Sequence, residues 1–177
     1  MGFISRVKKI VIVSFFLASY MILKRLLIIK VFGVTYSFAF VPIILCAVIF
    51  GIRNTVLVEF LGDMLGWIFF PRESFFIGYT LSAVLAGCIH GFFLYQKDKI
   101  IADKKFLIRL IISILCVTVF ISLGLNTLWS FYIIGKATKV RFYIKIIRQV
   151  TLVPFKIITI YNTVKMLDKR LNSMREV

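Results

Sequence analysis

The sequence predicts an all-α membrane protein, built as a bundle of six transmembrane helices. Of its 177 residues, 61% are hydrophobic and only seven are acidic, which leaves too little polar surface to cover a soluble globule. The apolar residues form long continuous runs, whereas a transmembrane β-barrel has alternating segments of about ten residues. Because backbone groups in lipid must be hydrogen-bonded within their own segment, these runs are predicted to be helices.

Charged residues, glycines and prolines divide the runs into six predicted spans within a single membrane domain, residues 1–177. The spans are residues 10–29, 35–51, 54–71, 75–95, 106–134 and 142–166. Short polar connections separate the second span from the third and the third from the fourth, so both pairs are expected to be antiparallel hairpins. The first span follows basic residues and lacks a small-residue cleavage site, so it is predicted to remain as a helix.

Lysine and arginine residues predict the orientation of the chain. Thirteen of them fall on the side that holds both termini and nine on the other side, so the termini are predicted to be cytoplasmic in a multi-pass protein of the cell membrane. The nine outer basic residues either hold phosphates of the lipid bilayer or form a cationic mouth that attracts an anionic solute. Arg25, Lys145 and Arg148 are the candidates for contact with such a solute, and no nucleic acid is expected as a partner.

Groups typical of catalysis or metal binding are scarce. The single histidine, His90, lies two residues from Cys88 without further ligands, so neither a metal site nor a catalytic residue is predicted. The three cysteines lie in apolar runs, and an odd number does not suit a disulfide framework. The sequence contains no phosphate-binding glycine loop, so we expect no nucleotide hydrolysis by this chain and no cofactor.

Two acidic residues, Glu59 and Asp63, are one helical turn apart on the third predicted span. One interpretation is an intramembrane cation or proton site. The other, which we favour, is a structural role in which the carboxylates pair with Arg53, with Lys156 or with free backbone donors.

Small residues at positions i and i+4 mark a different kind of surface. Ser14 and Ala18 have this spacing on the first span, as do Gly87 and Gly91 on the fourth, and it lets another helix approach closely. Such pairs usually serve packing within the bundle. If the first helix lies on the outside of the bundle, its pair is instead a docking surface for another subunit.

The segment LNTLWS, residues 125–130, is a candidate ligand surface near the outer end of the fifth span. Asn126 and Trp129 are three residues apart and therefore share one face of a helix. An amide offers a donor and an acceptor to a heteroaromatic edge, and an indole offers a flat stacking face. The alternative for Trp129 is the interfacial aromatic belt, where tryptophans near helix ends commonly lie.

Seven segments together resemble the substrate-binding S components of energy-coupling factor (ECF) vitamin transporters, folate branch. They are residues 14–25 (SFFLASYMILKR), 50–51 (FG), 63–71 (DMLGWIFFP), 75–83 (FFIGYTLSA), 87–95 (GCIHGFFLY), 125–129 (LNTLW) and 148–154 (RQVTLVP). The chain departs from the family pattern at Ser14, where the family prefers alanine, and at Ile52 and Ile77, where it prefers proline.

The resemblance implies a six-helix subunit that captures folate or a related anionic vitamin on the outer face of the membrane. It further implies a membrane coupling subunit, which docks at Ser14 and Ala18, and two cytoplasmic ATPase subunits that supply the energy. It places Phe75, Tyr79 and Gln149 beside Asn126 and Trp129 in the pocket. Two alternatives stay open: an S component for another vitamin, and a small polytopic scaffold for cell shape or assembly. A membrane enzyme is disfavoured, because paired acids and histidines are lacking.

Overall fold

The computed structural model describes residues 2–31, 34–70, 76–96, 101–134 and 139–175, and helices dominate them. The elements in chain order are α1 (Gly2–Arg25), β1 (Ile28–Val31), β2 (Val34–Ser37), α2 (Phe40–Phe69), α3 (Ile77–Leu94), α4 (Lys104–Cys116), a π-helix (Val117–Leu125), α5 (Asn126–Ile134) and α6 (Lys139–Arg175). The predicted helical class is confirmed, and the short hairpin of β1 and β2 is an addition to it.

The chain reverses direction inside α2, at Gly51. This residue has φ 70° and ψ −165°, a conformation in which a side chain would be strained. Ser37, just before α2, donates a hydrogen bond to the carbonyl of Leu23, and Gly66 near the other end of α2 packs against Arg25. On a straight helix residues 40 and 66 would be about 39 Å apart, so both ends of α2 reach the end of α1 only because residues 40–50 and 52–69 run antiparallel. The predicted hairpin between the second and third spans is therefore present.

The β-hairpin replaces the predicted end of the first span and the predicted start of the second. Strands β1 and β2 pair antiparallel, with Ile28 opposite Ser37 and Val31 opposite Val34. The segment IIKVFGVTYS, residues 28–37, is rich in β-branched residues and has a glycine near its centre, which is typical of a hairpin. Helix α1 ends at Arg25 and α2 begins at Phe40, whereas the predicted spans run to residue 29 and start at residue 35.

Among the described residues, four helices are long and apolar enough to cross a membrane: Phe40–Phe69, Ile77–Leu94, Lys104–Tyr132 and Phe142–Asp168. The predicted count of six spans is not confirmed. Helix α1 has only 14 residues, 10–23, between its flanking charges, and these extend over about 21 Å of a hydrocarbon core of about 30 Å. The segment Phe40–Phe69 counts as one of these four helices, although its chain reverses at Gly51 and so forms two antiparallel parts.

The core lies where residues 43–49 of α2 pack against the other helices, and all seven of these side chains are buried. Phe16 of α1, Phe106 and Leu110 of α4, and Ile160 of α6 join them. Residues 52–69 pack along α3, and Gly91 permits this contact, because a Cβ there would lie 2.5 Å from the Cα of Ile52. Gly87 and Gly91 thus serve packing inside the bundle.

Candidate functional site

A continuous series of contacts joins five helices at one end of the bundle, the end where α1 finishes and α6 begins. We call it the site end. Arg25 of α1 lies on Gly66 of α2, Asp63 of α2 accepts a hydrogen bond from Thr80 of α3, and α3 contacts α5 through Ser82 and Trp129. Lys145 of α6 donates a hydrogen bond to Thr127 of α5, which completes the series. Residues that are up to 120 positions apart in the chain therefore come together at this end.

The intramembrane acids Glu59 and Asp63 are held by α1. Tyr20 donates its hydroxyl hydrogen to Glu59 Oε2 over 2.8 Å, and Lys24 Nζ lies 3.1 Å from Asp63 Oδ1. Lys24 also donates to the Tyr20 hydroxyl, and Thr80 donates to the second oxygen of Asp63 over 2.8 Å. The structural role that we favoured is thus supported by the geometry, but the cation is Lys24. Neither Arg53 nor Lys156, the partners suggested by the sequence, pairs with these acids.

Arg25, a predicted ligand contact, follows Lys24 at the end of α1. Its guanidinium lies over Gly66, and a Cβ at that position would be 2.9 Å from Arg25 Nε. Any larger residue at 66 would displace the guanidinium. The absence of a side chain at Gly66 therefore sets the position of this cation at the site end.

Trp129 connects α5 to the first turns of α3. Its indole Nε1 donates a hydrogen bond to Ser82 Oγ over 3.0 Å, and its ring centroid lies 5.6 Å from that of Phe76. Gly78 makes room for both rings, since a Cβ there would lie 2.8 Å from Trp129 Cδ2. The half-buried indole is thus fixed in the wall of the site end, with its polar atom satisfied by the protein.

Tyr79 lies beside this cluster. Its hydroxyl is 3.1 Å from Ser130 Oγ, and its ring centroid is 6.0 Å from that of Phe76. Two hydrogen bonds, one from Trp129 and one between Tyr79 and Ser130, therefore connect α3 and α5. Phe75 lies outside the described residues, and among those residues Phe76 contacts Trp129.

Two buried amide oxygens at the site end lack a hydrogen-bond partner among the described residues. They are Oδ1 of Asn126, at the start of α5, and Oε1 of Gln149, a residue of α6 that is 5% exposed. Gln149 is one helical turn from Lys145, and Asn126 adjoins Thr127, the residue that Lys145 contacts. Buried acceptors are nearly always paired in folded proteins, and leaving one unpaired costs free energy. Such oxygens are suited to an N–H donor of a bound molecule.

Two basic residues of α6, Lys145 and Arg148, lie within one helical turn of Gln149. Lys145 Nζ donates to Thr127 Oγ1 over 2.9 Å, and the Arg148 guanidinium is close enough to interact electrostatically with it. The structure therefore brings five of the predicted site residues to α5 and α6 at one end: Asn126, Trp129, Lys145, Arg148 and Gln149. Arg25 and Tyr79 reach the same end from α1 and α3.

Several side chains at the site end were given no role of their own from the sequence. Ser82, Thr127 and Ser130 are small hydroxyl residues inside apolar runs, and nothing in their spacing distinguishes them from packing residues. The π-helix before Asn126 was also not predicted. It widens the helix over nine residues and changes the direction of every later side chain, and π-helical segments often occur at functional sites.

Ser14 and Ala18 are exposed on α1, on the side away from the bundle. The neighbouring residues of this face, Val11, Phe15 and Ile22, are apolar and between 46% and 68% exposed. Val13, Phe16 and Tyr20 occupy the buried side of the same helix. The small pair therefore belongs to an outer apolar surface and contributes nothing to packing inside the described bundle.

These features define a multi-pass membrane protein with polar, cationic and aromatic side chains gathered at one end of its bundle, where they form a candidate binding site. The sequence matches the family described as ECF transporter, substrate-specific component, over residues 8–165. The chain belongs to this family, which consists of transport components.

Similar proteins agree with this assignment. The chain is 30% identical over 172 residues to a protein of Clostridium novyi (strain NT) named folate transporter FolT, and the match covers 97% of this chain and 96% of that protein. It also superposes on a crystal structure of FolT bound with folic acid, with a TM-score of 0.75 and 29% sequence identity. That superposition covers 87% of this chain and 89% of the other.

Proposed function

We propose that this chain binds folate, or a closely related pterin vitamin, at the site end and delivers it for uptake. The observation that carries the proposal is the pair of unpartnered amide oxygens, Asn126 Oδ1 and Gln149 Oε1, beside basic side chains of α6. The similarity to a folate transporter over nearly the whole chain supports the same ligand.

The chemistry of folate fits these residues in three parts. Its 2-amino-4-oxopteridine carries N–H donors for the two amide oxygens, since a neutral amide oxygen accepts such hydrogen bonds. Its flat rings suit contact with aromatic residues such as Trp129 and Phe76. Its glutamate carboxylates suit Lys145 and Arg25, because lysine and arginine form charge-assisted hydrogen bonds with carboxylates.

For the whole transporter we infer the arrangement that the family implies. The chain crosses the membrane six times with both termini in the cytoplasm. The apolar surface around Ser14 and Ala18 docks on a membrane coupling subunit, and two cytoplasmic ATPase subunits supply the energy. An exposed pair of small residues on an outer helix supports this docking, because it permits close approach of another helix.

The test is to identify the ligand and measure its affinity. The protein is purified in detergent from cells grown with folic acid, and the molecule that it retains is identified by mass spectrometry. Calorimetric titration of the ligand-free protein then compares folic acid with riboflavin and thiamine. Saturable binding of folic acid alone is the expected result. Retention of a different vitamin, or the absence of folic acid binding by monodisperse protein, would exclude the proposed ligand.

A further inference from the structure

Lys156 lies on the inward face of α6, deeper in the bundle than the other basic residues of the site. Gln149 and Lys156 are seven residues apart, which is two helical turns, so they share one stripe of the helix. Ile160, one turn further along the stripe, is fully buried. Helix side chains lean toward the helix N-terminus, so the Lys156 amine is directed back toward Gln149 and the site end.

The described acidic residues do not pair with Lys156. Glu59 and Asp63 are hydrogen-bonded to Tyr20, Lys24 and Thr80 instead. Asp103 caps the N-terminus of α4, and Asp168 is three turns further along α6. Within the described part of the chain, no side chain or carbonyl forms a hydrogen bond with Lys156 Nζ either.

The neighbours that Lys156 does have are poor substitutes for an acceptor. Its amine lies 5.7 Å from the ring centroid of Phe40, a cation–π contact. It also interacts electrostatically with Arg148, a cation that offers no acceptor, and with His90, whose Nδ1 is already hydrogen-bonded to Ser113. A basic residue inside a membrane bundle is costly, and such residues commonly mark the path or the site of a solute.

We propose that Lys156 is a ligand-binding residue at the floor of the site, where its amine donates a hydrogen bond to an acceptor of the ligand heterocycle. This inference rests on the proposed function. A 2-amino-4-oxo heterocycle has N–H donors on one edge and carbonyl and ring-nitrogen acceptors on another. Asn126 and Gln149 suit the donor edge, and an amine below them suits the acceptor edge.

The depth of Lys156 favours the heterocycle over the carboxylates of the ligand. Lys156 is 11 residues beyond Lys145, or about 16 Å along the helix axis. Carboxylates lose the most hydration free energy on burial, so they are expected to stay near Lys145 and Arg25 at the site end. The less strongly hydrated heterocycle is therefore the part of the ligand that reaches the floor.

The experiment measures the affinities of folic acid and pteroic acid, which keeps the heterocycle but lacks the glutamate, for wild type and for Lys156→Met. If Lys156 contacts the heterocycle, both affinities should fall by a similar factor, roughly 10- to 100-fold, the effect of losing a hydrogen bond from a basic group. Lys156→Arg keeps a donor and should lose less. The control Lys165→Met removes an exposed lysine of the same helix and should leave both affinities unchanged.

The outcomes separate the alternatives. A loss confined to folic acid would assign Lys156 to the glutamate carboxylates, and unchanged affinities would assign it a structural role; either result overturns the proposal. The melting temperature of Lys156→Met should not fall, because among the described residues the half-buried amine has no hydrogen bond or ion pair to lose. If wild type binds neither compound, the proposed function itself fails, and this inference fails with it.

Discussion

Lys24 of α1 and Asp63 of α2 form an ion pair, with Nζ 3.1 Å from Oδ1, in a part of the bundle that the sequence marks as membrane-embedded. The pair joins the helix that carries the exposed Ser14 and Ala18 to the helices of the site. It also fixes the end of α1, where Arg25 follows Lys24. The ion pair thus connects the outer apolar surface to the site end through α1.

Removing the cation of this pair should destabilise the protein. Lys24→Met leaves Asp63 and Glu59 without their positive partner, and breaking a fully buried pair costs about 3–5 kcal/mol. The two side chains are 30% and 16% exposed, so solvent screening should reduce the loss in free energy of unfolding to about 1–3 kcal/mol. Denaturant titration of the detergent-purified protein measures it.

The double variant Lys24→Met with Asp63→Asn should recover part of that loss, because it removes both charges together. The control Lys8→Met alters an exposed lysine of the same helix and should have no effect. If Lys24→Met were as stable as the wild type, the ion pair would not contribute to stability.

Truncating the unpartnered amides should weaken binding without weakening the fold. Asn126→Ala and Gln149→Ala each remove an acceptor that has no partner among the described residues, so the ligand-free protein should unfold at a similar denaturant concentration. Each should cost about 1–3 kcal/mol of binding free energy, because a ligand N–H then stays buried and unpaired. Calorimetry with folic acid and denaturant titration give the two values. A loss of stability with unchanged affinity would identify these amides as packing residues.

Trp129 should contribute to both the fold and the site. Trp129→Ala should lose a stacking contact of about 1 kcal/mol in binding, in addition to buried area. Ser82→Ala instead leaves the indole N–H without its acceptor and should lower the free energy of unfolding by about 1–3 kcal/mol, with a smaller effect on affinity. The two variants are compared by calorimetry and denaturant titration. If Trp129→Ala bound folic acid with wild-type affinity, the indole would serve packing only and would not contact the ligand.

Ligand capture should depend on ionic strength. Salt screens the attraction between basic side chains and an anionic ligand, so the affinity for folic acid should fall as salt is raised. Lys145→Gln and Arg25→Gln should each reduce both the affinity and its salt dependence. The titration is carried out in an uncharged detergent without added lipid, so that phosphate headgroups do not compete with the ligand for these cations. The same affinity in low and high salt would indicate that these cations serve lipid instead.

The small pair on α1 should be needed for uptake but not for binding. Ser14→Trp combined with Ala18→Trp places two bulky rings on an exposed face, which prevents another helix from approaching. Folate uptake by cells should be lost, while calorimetry on the isolated chain should show unchanged affinity. Ile158→Trp, at an exposed position of α6, is the matched control and should keep uptake. Normal uptake in the double variant would place the docking surface elsewhere.

The sequence by itself determined that the chain lies in a membrane as helices, because long apolar runs with few acids have no other way to satisfy their backbone. It also determined the reversal at Gly51 and the small pair on α1, since local spacing and glycine conformation are properties of short segments. Local sequence also identified the residues of LNTLW and the basic residues of α6.

Only the tertiary structure decided which of these residues meet. The partner of Asp63 is Lys24, 39 positions away, and sequence spacing carries no information about such distant contacts. The hairpin of β1 and β2 interrupts a run that hydropathy alone assigns to helices, because strand pairing depends on two segments at once. The π-helix and the packing of Trp129 against Ser82 and Phe76 likewise depend on how α3 and α5 fit together. Burial of Asn126 and Gln149 without partners is a property of that packing, and no single segment encodes it.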